Sequence, residues 1–185
     1  VNVELTSTTK HHAIPNFDSF DLVISYGKPI RNKTIEQVLL FDELLAPVCA
    51  PQLWDKLAPS STEKGFDELN VLKRCTWLHA NTEQSDWSMW LASRGYRNIQ
   101  GKGNQTFATL DQAVNAAQQG FGMAIGDITL AEQDLKLKHL IQPFDHYVAS
   151  GNGYHLLNPK HEGNAMVGNL VSWLSEQSRA SKISP

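Results

Sequence analysis

Apolar residues along this chain come in short bursts, and the spacing inside the bursts switches between two and three to four. Residues 1–5 alternate and predict a strand, residues 6–15 a polar turn region, and residues 21–25 a near-continuous apolar run of the kind found in buried parallel strands. After a loop over 27–34, residues 38–41 and 44–49 predict two strands around an Asp42-Glu43 turn, with Pro51 ending the second. Beyond Pro51 the rhythm changes. Phe66, Leu69 and Leu72 are spaced for a helix over 66–73, and 75–79 returns to strand character. Residues 83–94 place Trp87, Trp90 and Leu91 on one helical face, with Gly95 as the C-terminal stop. A polar strand over 101–107 leads to a helix over 109–119, whose apolar side is Leu110, Ala113, Val114 and Ala117 and whose end is Gly120. Residues 122–125 predict a buried strand, 145–153 a polar crossing after the apolar stretch 140–144, 153–157 another strand, and 165–178 a closing amphipathic helix carrying Met166, Leu170, Trp173 and Leu174. Short apolar strands alternating with ten-residue helices predict an α/β architecture with mostly parallel sheets.

Composition narrows the function. With 185 residues and 41% hydrophobic content the chain can bury a core as one large domain or as two lobes of a small-ligand binder. Sixteen basic residues against nineteen acidic ones, a net charge of −3, lack the electrostatic footprint that neutralising a phosphate backbone needs, so this segment is not expected to bind DNA by itself. The longest apolar stretches are far too short to span a bilayer, and no basic segment precedes a hydrophobic run at the start. Cys49 and Cys75 both lie inside apolar strand patterns and read as two small buried hydrophobes, which fits a reduced, cytoplasmic setting.

Several blocks of sequence then carry a family likeness. The first is the succession Phe-Asp-Leu-Val-Ile-Ser-Tyr-Gly (20–27) and Val-Leu-Leu-Phe-Asp-Glu-Leu-Leu-Ala-Pro-Val-Cys-Ala-Pro-Gln-Leu-Trp (38–54). It is followed by Trp77-Leu-His79, by Trp87-Ser-Met-Trp90-Leu with Gly95, and by the run from Phe107 through Leu-Asp-Gln-Ala-Val-Asn-Ala-Ala-Gln-Gln to Gly120-Phe-Gly-Met-Ala-Ile-Gly126. Leu-Ile-Gln-Pro143-Phe144, Gly153-Tyr154-His-Leu and Val171-Ser-Trp173-Leu174 complete the order. Together these resemble the effector-binding domain of LysR-type transcriptional regulators, nearest the subgroup of the glycine-cleavage activator and the β-lactamase regulator.

The resemblance implies an α/β fold of two lobes, similar to type 2 periplasmic binding proteins, in which two crossing strands act as a hinge and a small effector sits between the lobes. Lobe one maps to 1–45 and 146–185 and lobe two to 46–145, with the hinge at 45–48 and 145–151. Family members begin the domain with a strand and a helix ahead of the strand matched by residues 1–5, so the first strand and helix of lobe one are expected to be missing here. The DNA-binding winged helix-turn-helix is expected outside this chain too. By the same resemblance the partners are a small-molecule effector such as an amino acid or other small anion, further copies in a homodimer or tetramer, and DNA only through the N-terminal domain.

In an open α/β sheet ligands settle at the carboxyl ends of strands. That rule, with the resemblance, selects the candidate effector-binding residues Thr8, Tyr26, His79, Phe107, Thr109 and Tyr154. Thr8 lies in the Thr6–Thr9 hydroxyl cluster after the first strand, which equally suits a turn satisfying its own backbone. Thr109 is placed to cap the following helix, and a cap needs no ligand. His79 ends a strand and can bond an anionic effector or serve as a structural donor. Tyr26 and Tyr154 carry apolar bodies with polar tips suited to a cleft edge or to a wet surface. Trp87 and Trp90 are expected in the core.

No catalytic set is expected. Asp42 and Glu43 are adjacent and point apart on a turn or strand. The seven histidines show no metal spacing, no cofactor is implied, and Gly101-Lys-Gly103 lacks the rest of a phosphate loop. The alternatives are an extracytoplasmic solute-binding protein of the same fold and an enzyme on this scaffold.

Overall fold

A computed structural model describes residues 3–7, 15, 17–58, 67–160 and 164–180. Its elements are β1 (Val23–Gly27), β2 (Ile35–Val48), α1 (Pro51–Leu57), α2 (Glu68–Arg74), β3 (Thr76–His79), α3 (Ser85–Ser93), β4 (Gly103–Thr106), α4 (Leu110–Gln118), β5 (Met123–Asp127), α5 (Glu132–Lys136), β6 (Val148–Pro159) and α6 (Ala165–Ala180). The chain divides into two compact units, Val1–Phe41 with Asn152–Pro185, and Asp42–Gly151. The division thus falls after Phe41 and Gly151, and both β2 and β6 run through it.

In the first unit the strand order is β1-β6-β2. β1 runs antiparallel to β6, pairing Val23 with Leu157 and Gly27 with Gly153. Leu156 and Leu157 are fully buried, and Ile35 and Leu40 of β2 nearly so. α6 carries a half-buried stripe at Val167, Leu170, Val171 and Leu174, the three-and-four spacing of one helical face.

In the second unit the order is β2-β5-β3-β4. β2 is antiparallel to β5 (Leu45 opposite Asp127, Val48 opposite Ala124), while β3 is parallel to both β4 and β5. Successive residues of these strands feed two different hydrophobic clusters, because a strand alternates its side chains between faces. Trp77, Met123 and Ile125 join Leu45, Cys49, Leu72, Trp87, Trp90 and Phe144, whereas Leu78 and Ala124 join Ala46, Val48, Ala113, Ala117 and Leu140. Covering both faces explains the unbroken apolar runs in the sequence. Two glycines fit this sheet for want of space: a Cβ on Gly122 would lie 2.5 Å from the Thr76 carbonyl oxygen, and one on Gly126 would lie 2.9 Å from Val48 Cγ2.

Several expectations need correction. Residues 3–5 are not a strand, and Val3 and Leu5 are 68% and 90% exposed. An alternating pentapeptide gains little without a sheet edge to pair with, and among the described residues none accepts it. Residues 1–2 and most of the 6–15 turn region lie outside the described residues. The apolar run 21–25 is not a buried parallel strand either. β1 starts two residues later, is antiparallel and half-exposed, and shows Ile24 and Tyr26 on its open face.

Asp42-Glu43 is no turn, since β2 continues through it as one fourteen-residue strand with Asp42 outward and Glu43 buried. Period-two geometry is kept, and the charges there had masked it. Pro51 stops β2 and also opens α1, where its missing N–H costs nothing. Among the described residues, parallel pairing is confined to β3 with its two neighbours, so the pairing is mixed rather than mostly parallel. On α6, Met166 and Trp173 lie off the half-buried stripe, 60% and 55% exposed.

Candidate functional site

Parallel pairing sends the carboxyl ends of β3, β4 and β5 in the second unit to one edge of the sheet. Antiparallel β2 enters at that same edge, because Leu45 lies opposite Asp127. This edge therefore gathers Glu43 and Leu44, His79, Phe107 to Thr109, and Asp127 to Thr129. It is where the strand-end rule places a ligand in such a sheet.

Each sequence-selected residue there has a definite local role. His79 closes β3 and is 2% exposed, with Nε2 lying 2.8 Å from Asn104 Oδ1 on β4. An amide oxygen can only accept, so Nε2 carries the proton in this contact. Its Nδ1 is buried without a partner. Phe107 donates its N–H to the His79 carbonyl at 2.8 Å, and its half-buried ring packs on the cluster of Ala46, Leu78 and Ala117. Thr109 is the N-cap of α4, its Oγ1 accepting the Gln112 N–H at 3.3 Å while Gln112 Oε1 accepts the Ala108 N–H at 3.2 Å. This reciprocal pair fixes the start of α4, whose free N–H groups favour negative charge.

Sequence reasoning passed over three carboxylates at or near this edge. Asp127 ends the fully buried β5, and its Oδ1 accepts the N–H groups of Thr129 at 3.0 Å and Leu44 at 3.4 Å, while Oδ2 is buried with no partner. Burial, helped by the nearby negative Glu43, pushes its pKa up from 3.8 to about 6 against those hydrogen bonds. Asp86 in the first turn of α3 is also raised, chiefly by burial and then by Glu43, with Ser85 and His79 opposing. A carboxylate directly after Ile125-Gly126, at the end of an apolar run, was the available signal for Asp127. Glu43 was hidden by its neighbour Asp42.

Leu78, His79, Ala80, Gln84, Asp86, Trp87 and Ile125 line a slight dent beside His79 that has no room for a water-sized group. Trp87 and Trp90 are core residues at 2% and 0% exposure. Trp87 stacks on Trp77 at 4.5 Å between centroids and donates Nε1–H to the Leu78 carbonyl at 3.1 Å.

In the first unit the structure brings together Tyr26 and Tyr154, directly paired in the β1–β6 ladder with ring centroids 5.2 Å apart. Phe41 adds a third ring 4.7 Å from Tyr154, and Asn152 Nδ2 donates to the Tyr26 hydroxyl at 3.3 Å. Behind them His155, 4% exposed, donates Nε2–H to the Gly27 carbonyl at 3.1 Å. Thr8 lies outside the described residues. Among the described residues, no three His, Cys, Asp or Glu side chains converge as metal ligands, and no helix is long and apolar enough to cross a membrane.

Comparison with known proteins adds a family to this geometry. Residues 1–179 match the family model described as the LysR substrate binding domain. The glycine cleavage system transcriptional activator of Escherichia coli K12 is 25% identical over 156 residues, covering 84% of this chain and 48% of that protein. The HTH-type transcriptional regulator PerR of the same organism is 26% identical over 190 residues, covering 99% and 59%. The chain thus spans about half the length of the curated relatives it matches. Among solved structures, the AmpR effector binding domain from Citrobacter freundii superposes with a TM-score of 0.66 at 19% identity, covering 88% of this chain and 76% of that one. That likeness is one of fold.

Proposed function

Because this chain belongs to the LysR substrate binding domain family, we propose that it is the ligand-sensing part of a LysR-type transcriptional regulator. Small-molecule binding by this domain is proposed to control DNA contacts made by a winged helix-turn-helix elsewhere in the protein. The observation that carries the reading is the edge of the second unit, where strand ends, a capped helix start and buried polar atoms gather around a fully packed core. The relatives named above are transcriptional regulators, which weighs against both an enzyme and a solute carrier.

Two regulatory subdomains are proposed, 1–45 with 146–185 and 46–145, with the stretches 45–48 and 145–151 as the passages between them. Effector residues are assigned as Thr8, Tyr26 and Tyr154 in the first unit and His79, Phe107 and Thr109 in the second. The effector is proposed to be a small molecule bearing a carboxylate or another anionic group, received by the N–H groups at the start of α4. Control would follow as a population shift, since a ligand moves an equilibrium only by the difference in its affinity for the two states. A homodimer or tetramer acting in the cytoplasm completes the proposal.

The test uses the full-length gene product on its own promoter DNA, followed by fluorescence anisotropy while amino acids, carboxylates and peptidoglycan fragments are added. A saturable change in DNA affinity with one compound class, abolished by Thr109→Ala with Tyr154→Phe, is the expected outcome. Unchanged DNA binding across the panel, together with no binding to the protein, would contradict it.

A further inference from the structure

Charge is unevenly spread along the first unit. From Leu22 to Ile35 the chain carries Lys28, Arg31 and Lys33 and no acidic residue, although its net charge is −3. All three cations lie exposed on the loop between β1 and β2. A fourth exposed cation joins them at the end of β6, where Lys160 donates its backbone N–H to the Thr34 carbonyl at 3.0 Å. Among the described residues none of the four is ion-paired, and the pairs present, Arg94 with Glu68, Lys136 with Glu132 and His139 with Asp134, all belong to the second unit. Glu36, the acidic residue that follows the loop, accepts instead from Asn158 Nδ2 at 3.3 Å. Like charges gathered without counter-charges repel, and an anionic partner relieves that repulsion.

The loop is also tied down. Asn32 Oδ1 accepts the Thr34 N–H at 2.9 Å and the Thr34 hydroxyl at 2.8 Å, and Ile30 donates its N–H to Gln37 Oε1 at 2.8 Å. Ile35, 7% exposed, anchors its end. A fixed backbone presents its cations without the ordering cost of a loose segment. Residues 28–33 reach at most about 20 Å end to end, and cations spread at the surface over such a length suit an extended polyanion better than one small anion. Duplex DNA offers one negative charge per about 1.7 Å of axis. Four cations are too few to hold it alone, in keeping with the net charge. DNA already held by another part of the same protein is met at a high local concentration, and weak contacts then count.

We propose that the β1–β2 loop, through Lys28, Arg31 and Lys33, and the neighbouring Lys160 form an auxiliary surface that contacts DNA phosphates beside the site read by the winged helix-turn-helix. This rests on the sensor reading above, which brings the protein to DNA, and adds a second point of contact to it. Phosphate contacts carry no sequence information, so the surface contributes affinity and salt dependence and leaves the choice of site to the winged helix.

The experiment measures the affinity of the full-length protein for its own promoter DNA by fluorescence anisotropy between about 50 and 200 mM salt. Three proteins are compared: the parent, the combined variant Arg31→Gln, Lys33→Gln and Lys160→Gln, and a control with Lys73→Gln, Lys102→Gln and Lys138→Gln. The control removes the same charge from exposed positions of the second unit. Each lost phosphate contact lowers the slope of log affinity against log salt by about 0.9, so the loop variant should flatten it by about 2 to 3 and bind about tenfold or more weaker at low salt. The control should keep the parent slope. Trimming the duplex to the bases covered by the winged helix should erase the difference between parent and loop variant. An unchanged slope in the loop variant, or equal flattening in the control, would overturn the surface and leave the sensor reading standing. A parent protein that does not bind its promoter would contradict both.

Discussion

Single residues set the chemistry of the strand edge in the second unit, and Asp127 shows how little of that is visible in composition. Its folded pKa of about 6 lies above the ordinary 3.8, so between those values the folded chain holds more protons than the unfolded one. Stability therefore falls as pH rises through that window, by roughly 1–3 kcal/mol for a shift of this size. Asp127→Asn keeps the Oδ1 acceptor for Leu44 and Thr129 and removes the charge. Chemical denaturation should show the variant more stable than the parent near pH 7.5, with the gap shrinking as pH falls through about 6 and closing towards 3.8. A gap independent of pH would refute the assignment. Trp87 makes the opposite case, since its helical spacing with Trp90 announced a core residue. Trp87→Ala removes the Trp77 stack and the bond to Leu78, and should cost about 3–5 kcal/mol in the same measurement.

At the level of elements, what could be read from the chain was whatever had a strong period or a mandatory end. The helices α2, α3 and α4 were legible because their apolar residues recur at three and four, and because Gly95 and Gly120 follow α3 and α4 with φ of 74° and 83°. Gly120→Ala should lower stability by about 1 kcal/mol, as any side chain is strained at that φ. Thr109→Ala should cost about 1 kcal/mol through loss of the cap, with Thr109→Ser close to the parent, both read from thermal melts. The short helices α1 and α5 gave no period to detect in five to seven residues. β2 was split in two because Asp42-Glu43 resembles turn chemistry, although Glu43 points inward on an uninterrupted strand. Of the candidate site, His79, Phe107 and Thr109 were legible as strand-end and cap positions. Asp86, Asp127 and Asn104 were not, because their role depends on neighbours distant in sequence.

For the molecule as a whole, the sheet of the second unit is the part whose integrity the site depends on. Cys49 and Cys75 lie in its first cluster, their thiols pushed up by burial to about 12 and about 11. Neither should react with an aromatic disulfide reagent at neutral pH until the unit opens, and both should react once the chain is unfolded. Rapid reaction of the folded protein would mean that the core is not closed. The central claim, that this domain recognises a small molecule without transforming it, is tested most directly by calorimetric titration of the full-length protein with a compound from the panel, followed by chemical recovery of that compound. Saturable binding at a fixed stoichiometry with the compound recovered intact is the expected result, and its conversion to a product would contradict the account.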